Sequence, residues 1–284
     1  MKDKICIVTG ATSGIGKATS LGLAKMGAQV VLVARDHKRG ESAQAEIRAA
    51  SGNPHVSLLL ADLSSQKSVR QLASDFKSRS DGLHVLVNNA GIALTKRAVT
   101  EEGYEKVFAV NYLAPFLLTN LVLDTLKASA PCRVVNVAGD FHRKASIHFD
   151  DLMSERDYNG FRANNQAKLA LILFTYELAR RLEGTGVTVN ALHPGAVATD
   201  AVSKDPDVNA YSRFMYSLFK PFFQSPEKGA ETSLFLASSP EIEGITGKYF
   251  IKKKAVSSSP ESYDADIARR LWDASMKLTE LNQV

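Results

Sequence analysis

Thr9-Gly10-Ala11-Thr12-Ser13-Gly14-Ile15-Gly16 follows directly on the β-branched run Lys4-Ile5-Cys6-Ile7-Val8. Immediately after it, Lys17 to Met26 carries apolar residues at three- and four-residue intervals, the period of an amphipathic helix. A strand, a glycine-rich turn and a helix in that order make a phosphate cradle. Glycine permits the tight turn and lets backbone N–H groups approach a pyrophosphate at the helix N-terminus, where the helix dipole favours negative charge. In a bare loop the same glycines would be structural. Between this strand and this helix they predict a dinucleotide site built from Gly10, Thr12, Ser13, Gly14, Ile15 and Gly16.

The rest of the chain continues the alternation. Short runs at Gln29 to Ala34, Val56 to Asp62, His84 to Asn88, Arg133 to Val137, Val187 to Leu192 and Lys248 to Ile251 join Lys4 to Thr9 as expected strands. Helical periods fill Gln66 to Ser78, Thr100 to Ser129 and Arg162 to Glu183. The pattern predicts an α/β fold, a Rossmann-like doubly wound parallel sheet of about seven strands with helices on both faces. At 284 residues, with no internal repeat or low-complexity linker, the chain reads as a single domain spanning 1–284. The stretch 203–226, with Phe214, Met215, Tyr216, Phe219, Phe222 and Phe223, breaks the alternation after the sixth strand. It reads as a lid over a hydrophobic substrate, or else as a helix packing its apolar face.

Composition narrows the function classes. The formal charge of +5 is spread along the chain, and the one basic run, Lys252-Lys253-Lys254, reads as a solvated loop, so no nucleic acid partner is expected. Cys6 and Cys132 sit far apart in apolar stretches with no metal-ligand spacing; they read as core residues of a protein in a reducing compartment, and no metal is expected. No segment approaches the roughly 18 uninterrupted apolar residues that span a bilayer, and the first strand begins too early to leave room for a signal segment. A soluble, cytoplasmic protein is the expectation.

The glycine spacing G-x-x-x-G-x-G, with Asp62, Asn88-Asn89-Ala90-Gly91, Asn111, Lys168, His193-Pro194-Gly195 and Thr199, resembles the short-chain dehydrogenase/reductase family over essentially the whole length. Within that family Phe174 to Leu182 and Gly247 to Phe250 look most like the retinol-dehydrogenase-like group, whose members often carry an N-terminal membrane anchor that is not read here. The resemblance implies that Asp62 bounds an adenine pocket, that Leu63 belongs to the cofactor site, and that Asn88, Ala90 and Gly91 line the cofactor. It further implies that Pro194, Gly195 and Thr199 contribute to cofactor binding and that Lys168 hydrogen-bonds the nicotinamide ribose. It also suggests a homodimer or homotetramer through the helices after strands four and five. Arg35 closes the second strand, where an acidic residue would accept from a free ribose 2′-OH and an arginine pairs with a 2′-phosphate; NADP(H) is therefore favoured over NAD(H).

The chemical half of the pocket departs from the family. Hydride transfer to a carbonyl leaves an alkoxide that must be protonated, and the family uses a tyrosine four residues before the lysine. Here Asn164 stands at that position, in Asn164-Asn165-Gln166-Ala167-Lys168. An amide can polarise a carbonyl but cannot release a proton near neutral pH. The substrate-orienting serine falls at Gly139, which has no side-chain donor, while Asn111 and Lys168 are kept. Asp140, His142 and Tyr158 are the candidate substitutes, each with a purely structural alternative.

Three functions accommodate these residues. The first is an NADPH-dependent reductase of a hydrophobic carbonyl, imine or enone with a nonstandard catalytic site formed by Asn111, Asn164 and Lys168. The second is a non-redox cyclase, isomerase or lyase on the same fold; the third is a catalytically silent NADP(H)-binding protein.

Overall fold

The computed structural model describes residues 1–197 and 223–281. Eight strands form one sheet in the order β3-β2-β1-β4-β5-β6-β7-β8. They are β1 (Ile5–Thr9), β2 (Gln29–Ala34), β3 (Val56–Leu60), β4 (Val85–Asn88), β5 (Cys132–Val137), β6 (Val187–His193), β7 (Tyr249–Ile251) and β8 (Lys254–Val256). Pairing is parallel from β3 through β7, and β8 returns antiparallel. The expected seven strands thus gain an eighth. The basic run that reads as a solvated loop supplies the reversal: Lys252 and Lys253 take φ of 50° and 64°, the left-handed pair of a two-residue hairpin, and Lys254 opens β8.

Alternation within each strand divides the core. Cys6 and Val8 face one side with Leu32, Ile47, Leu236 and Phe250, while Ile7 faces the other with Val33, Phe76, Leu86, Phe116, Phe174 and Trp272. Helices α1 (Gly14–Lys25), α2 (His37–Ser51) and α7 (Pro226–Ser238) cover the first face. The second is covered by α3 (Gln66–Arg79), α4 (Ala114–Leu121), α6 (Gly160–Arg181) and α8 (Ala265–Leu278), with α5 (Leu123–Ala128) following α4. Both cysteines are buried and unpaired, and burial pushes the Cys6 thiol up to about 12. No helix among the described residues is long and apolar enough to cross a membrane.

The segment expected as one helix from Thr100 to Ser129 is broken. Val99 pairs with Glu105 across a turn, and helix begins only at Lys106–Phe108, where both carboxylate oxygens of buried Glu105 accept from Val107 N and Phe108 N at 2.9 and 2.7 Å. A π-helical turn follows, Ala109–Leu113, in which Ala114 N–H donates to Ala109 O five residues back. Pro115 has no N–H to offer Asn111 O, so the ladder cannot continue in α register at this point. The irregular turn carries Asn111.

From β3 the chain returns across the sheet to β4, on the far side of β1. That reversal opens a crevice between the C-terminal ends of β1 and β4, where doubly wound sheets bind ligands. Of the expected lid, 203–222 lies outside the described residues; its remaining part leads to Ser225, which caps α7 by accepting from Lys228 N.

Candidate active site

The crevice is held open by contacts that a sequence cannot display. Gly16 lies so close to the first turn that a Cβ there would stand 2.3 Å from Gly10 O, and one on Gly10 would stand 2.9 Å from Ala90 Cα. Asn89 and Thr9 tie the two loops: Asn89 Nδ2 donates to Thr9 O at 2.8 Å, and Thr9 Oγ1 accepts from Asn89 N and Ala90 N at 2.9 and 3.0 Å. Sequence reasoning passed over both residues. Their signal was present, since Asn89 belongs to the Asn88-Asn89-Ala90-Gly91 run, but its contact with the glycine turn is tertiary. Ile15 buries its side chain against Gly229, leaving its backbone N–H at the start of α1.

The Asn88 side chain turns inward from the end of β4. Its amide is buried and donates to Asn136 Oδ1 at 2.9 Å and Thr119 Oγ1 at 3.1 Å; Asn136 in turn donates to Thr175 Oγ1 on α6. This polar chain under the sheet ends fixes α6 against β4 and β5. Thr175 lies seven residues beyond Lys168, two turns along the same helix face.

At the second strand end, the Asp36 carboxylate caps α2 by accepting from Arg39 N at 2.8 Å, while the preceding Arg35 is exposed. Asp62 accepts from Ser64 N and Ser64 Oγ at 2.9 and 2.7 Å. Burial pushes its carboxyl up, but the Ser64 hydrogen bonds and the charges of Arg35 and Lys106 outweigh this and hold it below the usual range. Arg35 and Asp62 therefore share one rim of the crevice. Leu63 packs against the core beside them. On the opposite side Gly195, after Pro194, lies against the Gln224 amide, and Thr199 falls outside the described residues.

Asn111, Asn164 and Lys168 converge. Asn111 Nδ2 donates to Asn164 Oδ1 at 3.2 Å, and Lys168 Nζ donates to Val137 O at 3.2 Å. A Cβ on Gly91 would stand 3.4 Å from Asn111 Oδ1 and 3.6 Å from Lys168 Nζ, so the bare glycine leaves these groups a common space. Asn164 and Lys168 are one turn apart on one face of α6. Burial lowers the Lys168 ammonium from the ordinary 10.5 to about 8. Because the folded site disfavours the charged form, this lysine's penalty on stability is full below about pH 8 and fades toward pH 10.5. Stability of the ligand-free protein is expected to gain from this residue as pH rises through that window. Chemical denaturation of Lys168→Met at a series of pH values should lack that gain; an identical pH profile would refute the assignment.

Gly139 explains part of the departure from the family. Ala138 N and Gly139 N both donate to Leu192 O at 3.0 Å, a bulge at the end of β5, and Gly139 takes φ of 93°. A Cβ there would meet nothing within 4 Å, so the barrier to a serine is backbone conformation rather than space.

The candidate substitutes are engaged elsewhere. Tyr158 Oη donates to Leu94 O at 3.3 Å and Glu105 Oε1 at 3.4 Å, bracing the loop before α6 against the Glu105 cap. His142 is fully buried with its ring edge-on to Tyr249, Nδ1 lies 3.0 Å from Gly139 O, and burial lowers its pKa. Asp140 pairs with Arg143 at 2.7 Å and accepts from Tyr249 Oη at 3.3 Å. Tyr249, which sequence reasoning did not single out, also donates to Gly139 O at 3.0 Å. These three groups brace the bulge and the loop before α6.

A glycine cradle and a lysine close to Asn111 and Asn164, at the switch point of a doubly wound sheet, define a nucleotide-dependent oxidoreductase class. Residues 4–209 match the short chain dehydrogenase family, and the chain belongs to it. It is 44% identical over 283 residues to human retinol dehydrogenase 13, covering 98% of this chain and 85% of that protein. Human retinol dehydrogenase 11 is 43% identical over 281 residues, covering 99% and 87%. Among solved structures, a protein from Mycobacterium paratuberculosis superposes with a TM-score of 0.79 at 29% identity, covering 98% of this chain and 94% of that one. RhlG from Pseudomonas aeruginosa, in an active-site complex with NADP, superposes with a TM-score of 0.69 at 26% identity, covering 92% and 96%.

Proposed function

We propose that the protein is an NADPH-dependent reductase of a hydrophobic carbonyl, imine or enone, with Asn164 where relatives in its family place a proton-donating tyrosine. The observation that carries this reading is the convergence of Asn111, Asn164 and Lys168 on the space beside Gly91, at the mouth of an intact glycine cradle. Backbone N–H groups from Gly10 to Gly16 hold the pyrophosphate and Asp62 borders the adenine. Lys168 holds the nicotinamide ribose, and the reduced nicotinamide, when bound, supplies the hydride. Retention of these residues supports redox chemistry, in keeping with the dehydrogenase names of the relatives.

Preference for NADP(H) follows from the second strand end. Asp36, one residue further on, turns one carboxylate oxygen to the α2 cap, and Arg35 is left exposed with its charge felt at Asp62. Calorimetry should find NADPH bound more tightly than NADH. Arg35→Asp is expected to weaken NADPH by about one to two orders of magnitude, the value of a charge-assisted pair, and to leave NADH unharmed. Equal affinities in the parent protein would sink the preference. A protein that binds NADPH but never oxidises it, followed by nicotinamide absorbance across ketones, imines and enones, would sink the reductase reading itself.

A further inference from the structure

The direction in which Asn164 points its amide is fixed by its neighbours. Ile92 N donates to Asn111 Oδ1 at 2.8 Å, and Asn111 Nδ2 donates to Ile92 O at 2.9 Å, so a single backbone residue reads both ends of the Asn111 amide. Turning Asn111 over would set NH₂ against N–H and oxygen against oxygen. The second hydrogen on Asn111 Nδ2 reaches Asn164 at 3.2 Å, and only an oxygen can receive it. Asn164 therefore commits its oxygen to Asn111 and turns its NH₂ away. That NH₂ has no acceptor among the described residues and is not sealed from solvent.

We propose that Asn164 Nδ2 and Lys168 Nζ form a paired donor site for an anionic oxygen, and that the substrate is an α,β-unsaturated ketone or aldehyde reduced by conjugate hydride addition. This rests on the reductase reading and selects among its substrates. An iminium carries positive charge and no oxygen, so two donors beside it, one of them an ammonium, disfavour it. A saturated ketone becomes an alkoxide, nearly as basic as hydroxide, which needs a proton as it forms; an amide cannot give one, and Lys168 in giving one would lose the charge with which it holds the oxygen. An enone avoids that demand.

The electron count closes without an acid at oxygen. Hydride from the reduced nicotinamide bonds to the carbon β to the carbonyl, the C=C pair shifts to join the α carbon to the carbonyl carbon, and the carbonyl pair moves onto oxygen. The resulting enolate holds its O⁻ on Asn164 Nδ2 and Lys168 Nζ, and later takes a proton at the α carbon from water. Oxidised nicotinamide and a saturated ketone remain. Donors aimed at developing negative charge act as an oxyanion hole, where loss of one donor costs about 100- to 1,000-fold in rate.

The rim suits a flat conjugated skeleton. Phe161 lies one turn before Asn164 on α6 and Phe141 lies two residues beyond Gly139; their rings meet edge-to-face at 5.6 Å, and both are more than half exposed, at 57% and 54%. An exposed aromatic pair flanking both altered positions offers an apolar surface to a planar ligand.

Two measurements test the assignment. Benzylideneacetone and its saturated counterpart benzylacetone are incubated with the protein and NADPH deuterated at the transferring position, and the label is located by NMR. Label on the β carbon of the enone, with benzylacetone as product and turnover of benzylacetone itself slower by at least about 100-fold, is the expected result. Label on the carbonyl carbon would overturn the enone assignment and leave a carbonyl reductase with Lys168 as its acid. No transfer to either probe, with NADPH bound, would overturn this assignment, and extension of that silence to the whole panel would overturn the reductase reading as well. Independently of turnover, p-nitrophenolate, a planar oxyanion, is titrated into the NADP⁺-saturated protein. Asn164→Leu should weaken it about tenfold or more while NADP⁺ affinity stays unchanged; unaltered phenolate binding would overturn the donor role.

Discussion

An Asn164→Tyr variant is expected to reduce saturated ketones roughly 100 to 10,000 times faster than the parent protein, the usual worth of a positioned general acid. Position 164 lies one turn from Lys168 on α6, and an ammonium there stabilises a phenolate, bringing the phenol closer to neutral pH. Asn164 is half-buried and its side-chain oxygen accepts from Asn111 Nδ2, so the replacement opens no buried charge. The companion change Gly139→Ser is expected to add little. At φ of 93° an L side chain is strained by about 1–2 kcal/mol, so serine either lowers stability or forces the bulge to relax. Steady-state kinetics with benzylacetone, beside NADPH affinity and thermal melts, separates these effects. A tyrosine variant with parental affinity and no gain in ketone reduction would show that position 164 does not face the reacting atoms.

Gly16→Ala is expected to weaken NADP(H) binding by at least about tenfold and to lower the melting temperature. The added methyl would stand 2.3 Å from Gly10 O and 2.4 Å from Asn89 Nδ2, contacts that real side chains do not make. The glycine turn or the β4 loop must move, and overpacking of this kind costs about 1–3 kcal/mol, a cost that binding inherits because the same backbone N–H groups face the pyrophosphate. The displacement also strains the Asn89 bond to Thr9 O. Calorimetry on the variant measures both losses; full affinity would mean that the cradle does not hold the nucleotide.

Much of the fold was legible because burial writes itself into a parallel strand. Gln29 to Ala34 matches β2 residue for residue, and Gln66 to Ser78 differs from α3 only at its last residue, since periodic apolar positions in those segments have a single use. The eighth strand was not legible: Lys254-Ala255-Val256 is exposed and gains its structure from pairing with β7, not from its own pattern. The break in the Thr100 to Ser129 helix was hidden for a related reason, as the period persists through the π-helical turn and only the Glu105 cap and Pro115 interrupt it.

By itself the sequence determined the alternation of strands and helices, the glycine cradle, the Arg35 strand end and the absence of tyrosine and serine at positions 164 and 139. Those are properties of single residues and their spacing. Tertiary structure alone decided that the Asn88 side chain turns into the core, that Tyr158 braces Leu94 and Glu105, and that Asn164 presents a nitrogen instead of an oxygen. A polar side chain's role is set by which of its donors and acceptors are already taken, and those partners come from segments far apart in the chain.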